Sequence, residues 1–226
     1  MQYSLPVHEV RPPRAIVIGF MGGNVPPTDT TRNELIISES LRAAYPQGVH
    51  LQVFENRHFQ KAHQQILQWL GVSAGRSLSA EQNNNPKIIL YGHSWGASAV
   101  VALADELQKD GIPVALTIQV DSIERGSQND AVIPPNVSRA INFYQADGIF
   151  HGRARIRAAD PARTQILGNF EFTYKELPPE CSSYPWYERM FTKTHIAIEC
   201  DPVLWKRIEN LIRAALDAPP AETSSH

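Results

Sequence analysis

Apolar residues recur along the chain in short β-prone runs, and most runs are followed by a longer stretch with helical spacing. Runs rich in Val, Ile and Leu that end in glycine or polar residues are typical of buried strands, whereas apolar residues three or four positions apart are typical of helices. The pattern predicts strands at residues 14–20, 49–54, 86–91, 114–120, 140–145 and 170–174, and helices at 31–44, 59–70, 95–109 and 202–216.

Because these strands alternate with helices, the fold class is expected to be α/β, with a mostly parallel central sheet of about six strands covered by helices on both faces. One domain is expected to span residues 1–226, with its core at about 14–216, a lead-in at 1–13 and a tail at 218–226. In such a sheet the carboxyl ends of parallel strands lie along one edge, where ligands bind.

Several helix ends carry recognisable signals. Thr31-Arg32-Asn33-Glu34 fits a capping box, and Gly71 is placed to end the second helix. Asp201 is a suitable N-cap for the last helix, and Pro202 a suitable first residue. The Ser- and Asn-rich segment 73–85 is predicted to be a solvated loop.

Composition narrows the class of protein. The chain has 226 residues, 42% of them apolar, which suits one globular domain with a substantial core. A formal net charge of −2 argues against nucleic-acid binding. No apolar run is long enough for a transmembrane helix, and residues 1–14 lack the apolar core of a signal peptide.

The stretch with the clearest chemistry is Gly92-His93-Ser94-Trp95-Gly96, which lies between an apolar β-prone run and an Ala- and Val-rich helix. In this setting G-x-S-x-G predicts a nucleophile elbow, a tight strand-to-helix turn that presents a serine above the sheet edge. Small residues are needed two positions before and after the serine, and Gly92 and Gly96 meet that need.

With this elbow the chain resembles the α/β-hydrolases, as a small single-domain serine hydrolase of the lipase/esterase type, over roughly residues 14–216. The family order of catalytic residues is Ser, then Asp or Glu, then His. The resemblance implies Ser94 as nucleophile. For the base it favours His195, just ahead of the last helix, over His151 and His226.

The acid of the triad has two candidates. Asp121 follows the first strand after the elbow helix and is favoured, while Asp147 follows the second such strand and is the alternative. The resemblance also implies an oxyanion hole made by the backbone amides of Trp95 and of Phe20, with Met21 as runner-up to Phe20. The family often has His-Gly before the latter position, and this chain has Ile18-Gly19.

The expected activity is cleavage of carboxylic esters through an acyl-enzyme, with a small-molecule ester or acyl compound as substrate. Thioesterase, amidase or acyltransferase activity with the same triad is the alternative, and a non-catalytic binding protein on this fold is a more distant one. No cofactor, metal or obligate protein partner is implied.

The two cysteines of the chain, Cys181 and Cys200, bracket His195 and allow one disulfide. A disulfide would indicate a secreted or periplasmic protein, and free thiols a cytoplasmic one.

Overall fold

The structure, a computed structural model, describes residues 13–72, 86–126, 129–147, 149–175, 179–191 and 193–219. The predicted solvated loop at 73–85, nearly all of the lead-in and most of the tail lie outside these residues. Within the described part, no helix combines the length and the apolar character that crossing a bilayer requires.

Strands and helices alternate from the first strand to the fourth, with a short 3-10 turn at Asn56–His58, and in the described residues four more strands and then three helices follow. The strands are β1 (Ala15–Met21), β2 (Val49–Glu55), β3 (Lys87–His93), β4 (Leu116–Val120), β5 (Val132–Ile133), β6 (Arg139–Gln145), β7 (Arg157–Ala158) and β8 (Gln165–Phe172). The helices are α1 (Asn33–Ala44), α2 (Phe59–Leu70), α3 (Trp95–Lys109), α4 (Trp186–Phe191), α5 (Lys193–Cys200) and α6 (Pro202–Asp217).

Six strands form one sheet in the order β2-β1-β3-β4-β6-β8, and every pair in it is parallel. The short strands β5 and β7 pair separately, also in parallel. The predicted α/β fold, with a mostly parallel sheet of about six strands, is therefore confirmed. Because β3 and β4 lie side by side in the middle, the elbow and the residue that follows β4 meet at one edge.

Both faces of the sheet are covered, as the apolar strand runs require. Along β1, Ile16, Ile18 and Phe20 pack into a core shared with α2 and α3. Ala15 and Val17 point the opposite way and pack into a second core shared with α1, α5 and α6. Successive side chains of a strand point to opposite faces of the sheet. Because both faces are buried along β1, this strand carries no polar residue.

Two local predictions were wrong in position. The last strand is longer than the predicted 170–174 and starts earlier, at Gln165, with an irregular register opposite Ala140 and Ile141 that interrupts the sequence pattern. The capping box at Thr31 does not form. Helix α1 begins one residue later than such a box requires, and Thr31 Oγ1 donates to Asp29 Oδ1 at 2.6 Å.

The ends of the later helices agree with their sequence signals. Gly71 follows α2 in a left-handed conformation, with φ of 67°. Asp201 caps α6, and its Oδ1 accepts from the amides of Val203 at 2.8 Å and Leu204 at 3.2 Å. Tyr174 donates to the other oxygen of Asp201 at 2.9 Å, which ties the segment after β8 to the start of α6.

Candidate active site

Ser94 lies at the turn between β3 and α3, with a φ of 56° and a ψ of −124°. A non-glycine residue with positive φ costs about 1–3 kcal/mol and persists only where its surroundings impose it. Here the Ser94 amide donates to the carbonyl of Val120 at 2.9 Å, and its own carbonyl accepts from Ala97 at 3.0 Å. The neighbouring strand and the first turn of the helix thus hold the serine in its strained conformation.

The two glycines of the elbow are required by close backbone contacts. A Cβ on Gly92 would lie 2.6 Å from the carbonyl group of Gly96, and a Cβ on Gly96 would lie 2.3 Å from the carbonyl oxygen of Phe20. Neither position has room for a side chain, because the atoms met are backbone atoms that cannot rotate away. This agrees with the sequence expectation that small residues must flank the serine.

Three residues predicted from the sequence come together at this edge. Ser94 Oγ lies 2.8 Å from His195 Nε2, and His195 Nδ1 lies 2.6 Å from Asp121 Oδ2. All three are buried, with exposed fractions of 5% for Ser94, 8% for His195 and 0% for Asp121. The arrangement gives a hydroxyl a base within hydrogen-bond reach, and gives that base a carboxylate on its other nitrogen.

His195 reaches this position from a helix and not from the predicted loop. It lies in α5, whose residues from His195 to Cys200 are all buried. Burial of Ala197 and Ile198 in the core beneath the sheet holds this short helix against the edge. The low hydrophobic periodicity of an element buried on all sides explains why the sequence did not indicate a helix here.

Asp121 is held by two residues that the sequence analysis missed. Its Oδ1 accepts from the amides of Gly152 at 2.7 Å and Gln145 at 3.1 Å, and its Oδ2 accepts from Gln145 Nε2 at 2.9 Å. Gln145 ends β6, the strand next to β4, so its position at a strand end on the same edge was the available signal. Gly152 offered none, since it lies in a loop.

Asp147, the alternative acid, has a different set of partners. Its carboxylate accepts from Thr173 Oγ1 at 2.9 Å and from the Tyr174 amide at 3.2 Å, and it pairs with Lys175 at 2.9 Å. The hydrogen bonds from Lys175 and Thr173 lower the pKa of Asp147. Its carbonyl accepts from Thr194 Oγ1, so Asp147 ties the loop after β6 to the start of α5.

The residues expected to form the oxyanion hole lie on both sides of the serine. Trp95 is the first residue of α3, where backbone amides lack intrahelical partners. Because β1 continues to Met21, Phe20 lies inside this strand and not in the loop after it. Phe20 is in register with Gly92 of β3. Gly22 is the first residue after the strand, and a Cβ on it would lie 3.5 Å from Ser94 Cβ. Which amides stabilise an oxyanion stays a prediction.

A second buried polar cluster lies directly behind the triad. The ring of His93 packs against that of His195, with centroids 4.5 Å apart, and His93 Nδ1 lies 3.5 Å from Glu199 Oε2. Arg32 Nη1 donates to Glu199 Oε1 at 3.1 Å, and Glu34 is fully buried nearby. Burial raises the pKa of both Glu34 and Glu199, and burial together with neighbouring positive groups lowers the pKa of His93.

The helix that carries His195 is also fixed from its far end. Cys200, its last residue, forms a disulfide with Cys181, with Cα atoms 5.7 Å apart. Tyr184 packs in the same small cluster as Ile196 and Cys200, and the Arg32 guanidinium lies 4.4 Å from the centre of its ring. The two cysteines that bracket His195 in sequence thus connect the preceding segment to α5.

Four large apolar side chains are exposed on the segments next to the triad. The loop after β6 carries Ile149, 92% exposed, and Phe150, 51% exposed. Helix α4, one residue before α5, carries Trp186, 65% exposed, and Met190, 59% exposed. We call these four residues the apolar rim.

No family model and no curated protein matches the sequence. Among solved structures, the chain is similar to RedJ, a thioesterase from the prodiginine biosynthetic pathway in Streptomyces coelicolor, with 8% identity, a TM-score of 0.44, and 95% of this chain and 96% of that chain covered. It is also similar to an acetylxylan esterase, with 15% identity, a TM-score of 0.43, and 90% and 99% of the two chains covered. Similarity at this level carries no information about the activity of this chain.

Proposed function

We propose that the protein is a serine hydrolase that cleaves carboxylic esters, with Ser94 as nucleophile, His195 as general base and acid, and Asp121 as the acid of the triad. The observation that carries the proposal is the continuous contact from Ser94 Oγ through both nitrogens of His195 to Asp121, at 2.8 and 2.6 Å. These residues come from positions 94, 121 and 195 and from three different elements, so their alignment is not a product of local sequence.

In this mechanism His195 Nε2 takes the hydroxyl proton as Ser94 Oγ attacks the ester carbonyl. Asp121 keeps the proton of the imidazole on Nδ1 and stabilises the imidazolium that forms. The amides of Trp95 and Phe20 are assigned to the oxyanion of the tetrahedral intermediate. His195 then protonates the leaving alcohol, and water releases the acid from the acyl-enzyme with His195 again as base.

The apolar rim supports a substrate with an apolar portion. Phe150 is connected to the site, because its carbonyl accepts from Gln145 Nε2 at 2.8 Å and the same Nε2 donates to Asp121. Exposed apolar groups beside a reactive serine favour contact with the alkyl or aryl part of an ester. The triad itself is equally suited to a thioester, so the reaction class is broader than esters.

Steady-state turnover of short p-nitrophenyl esters and of matched acyl thioesters tests this proposal. We expect Ser94→Ala to lower kcat by more than about 10⁴-fold, and His195→Ala to have a similar effect, because the two residues act as one unit. Ser98→Ala is the matched control, since Ser98 is also buried in α3, one turn further along, and we expect it to retain turnover. A folded Ser94→Ala variant with undiminished turnover would overturn the proposal.

A further inference from the structure

Two buried side chains behind the triad have fewer hydrogen-bond partners than burial normally demands. Neither carboxylate oxygen of Glu34 and neither ring nitrogen of His93 makes a hydrogen bond of ordinary geometry with the described residues. Glu34 is 0% exposed and His93 is 1% exposed. An unpartnered polar group in a protein interior is costly, and such a group in a native structure points to a bound water, a proton or an ion.

These two side chains and Glu199 converge on one point. One ligand atom from each of Glu34, His93 and Glu199 lies within 4.8 Å of the other two. His93 Nδ1 and Glu199 Oε2 are 3.5 Å apart. Two ligands of a tetrahedral zinc ion, with bonds of about 2.0–2.1 Å, lie about 3.4 Å apart. The spacing of this pair therefore already suits a shared metal ion.

The charges of the cluster favour a divalent cation. Arg32 pairs with Glu199 at 3.1 Å and with Asp29 at 3.0 Å. With all three ionised, the described carboxylates of Asp29, Glu34 and Glu199 set three negative charges against one guanidinium, an excess of two. Because burial raises the pKa of Glu34 and Glu199, a cation at this point would take the place of their protons. Because isolated buried charge is strongly unfavourable, a cation of charge +2 at Glu34 and Glu199 would neutralise the cluster.

We propose that Glu34, His93 and Glu199 bind a divalent transition-metal cation of the zinc type, which connects α1, the end of β3 and α5. An imidazole and two carboxylates are suitable ligands for such an ion. The three ligands lie on regular elements, and neighbours hold them: Tyr91 donates to the Glu34 carbonyl at 2.8 Å and Asn33 Nδ2 to the Glu199 carbonyl at 2.8 Å. The sequence analysis implied no metal, and these three ligands are far apart in sequence.

A second set of possible ligands, His93 with Asp121 and His195, lies close by but is already occupied. Both ring nitrogens of His195 have partners, in Ser94 and Asp121, and both oxygens of Asp121 accept hydrogen bonds. A cation there would have to displace the triad contacts. At the Glu34 site the Glu199 carboxylate already accepts from Arg32 Nη1 at 3.1 and 3.3 Å, but a cation there leaves the triad contacts in place, which is why the proposal assigns the cation to it.

The test is titration of Zn²⁺ into the chelator-treated full chain, followed by calorimetry and by thermal unfolding. We expect one zinc ion per chain and a higher Tm with zinc. In Glu34→Gln and in Glu199→Gln we expect the affinity to fall by more than about 100-fold, because loss of even an outer-shell partner costs about 10- to 100-fold. Glu209→Gln, another buried glutamate outside the cluster, is the matched control and is expected to bind zinc as the wild type does.

His195→Ala separates the two sets of possible ligands, since it removes a triad ligand and retains all three ligands of the proposed site. Zinc binding that survives in Glu34→Gln but is lost in His195→Ala overturns the proposal, as does absence of binding to the folded wild type. Zinc-edge X-ray absorption on the wild type keeps the test decisive if a variant does not fold. One imidazole and oxygen ligands at about 2.0–2.1 Å support the proposal, whereas two imidazoles contradict it.

Discussion

Gln145 donates to both carboxylate oxygens of Asp121: its backbone amide donates to Oδ1 at 3.1 Å, and its side-chain Nε2 donates to Oδ2 at 2.9 Å. The side-chain oxygen of the same residue accepts from the amide of Asp147 at 2.8 Å. One glutamine at the end of β6 therefore orients the carboxylate beside His195 and shapes the loop that follows. Its position makes it a positioning residue for the proposed triad.

Replacing this glutamine with leucine should impair catalysis more than folding. Loss of a hydrogen bond to a charged group costs about 1.5–3 kcal/mol, so Gln145→Leu should lower kcat about 10- to 100-fold. Asn142→Leu is the matched control, because Asn142 is a buried amide on the same strand that donates to the carbonyl of Arg153 and not to Asp121. Ester turnover and Tm of both variants test whether Gln145→Leu impairs catalysis more than folding. Equal losses of kcat in both would argue against a specific role for Gln145.

Gly152 is expected to tolerate no side chain. A Cβ there would lie 2.4 Å from Asp121 Cα and 2.3 Å from its carbonyl carbon. Forcing a methyl group into such a contact costs about 1–3 kcal/mol, and here it displaces Asp121. Gly152→Ala should therefore lower both the free energy of unfolding and kcat.

Gly126→Ala provides the comparison for Gly152. The Cβ position of Gly126 has no neighbour within 4 Å, but its φ is +66°, so we expect only a backbone cost of about 1–2 kcal/mol and no loss of kcat. Denaturant unfolding and ester turnover of the two variants separate crowding of Asp121 from backbone strain. A Gly152→Ala enzyme with wild-type kcat would show that the proposed position of Asp121 has little effect on catalysis.

Replacing aspartate with asparagine should have very different effects on kcat at the two candidate acids, Asp121 and Asp147. Asp121→Asn should lower kcat by about 10⁴-fold, because an amide beside Nδ1 stabilises the wrong tautomer of His195 and cannot stabilise an imidazolium. Asp147→Asn removes an ion pair with Lys175 and should change kcat little. Turnover of both variants at one pH checks the assignment, and the reverse order of effects would make Asp147 the acid.

Glu209 gives the fold a dependence on acid pH. Burial raises its pKa, but hydrogen bonds from Ser40, Lys206 and Arg213 outweigh that effect and lower the pKa to about 2 from its usual 4.5. Since the folded pKa lies below the unfolded one, the stabilisation is complete above about pH 4.5 and is lost as the pH falls towards 2.

Wild type should therefore exceed Glu209→Gln in free energy of unfolding by roughly 1–2 kcal/mol at about pH 7, and the difference should shrink at about pH 3. Denaturant unfolding at the two pH values measures this. Glu39→Gln, at an exposed glutamate that pairs with Arg42, should show almost no difference at either pH. A gap between wild type and Glu209→Gln that is the same at both pH values would contradict the assigned pKa.

The sequence was sufficient to predict most of the fold because its signals are local. The alternating core positions of β1, the glycines around Ser94 and the cap at Asp201 each act within a few residues. The start of β8 was missed because an irregular register near Ala140 breaks the two-residue period there. Helix α5 was missed because burial on all sides removes the amphipathic pattern that identifies a helix.

The candidate site was only partly predictable for a different reason. Ser94 belongs to a local motif, whereas the pairing of His195 with Asp121 depends on how α5 packs against the sheet edge. Gln145 and Gly152 contact Asp121 over 24 and 31 residues of sequence, so no spacing rule identifies them. The cluster of Glu34 and Glu199 is likewise formed only by packing; the sequence had assigned Glu34 to a capping box.

Covalent labelling with a fluorophosphonate probe tests the central claim most directly, because the probe reacts only with an activated serine. The account predicts one probe molecule per chain, located on the Ser94 peptide by mass spectrometry, and no labelling of Ser94→Ala or His195→Ala. It also predicts that a bound ester analogue slows labelling of the wild type. A folded wild-type protein that is not labelled, or one labelled at another serine, would contradict the assignment of Ser94 as an activated nucleophile.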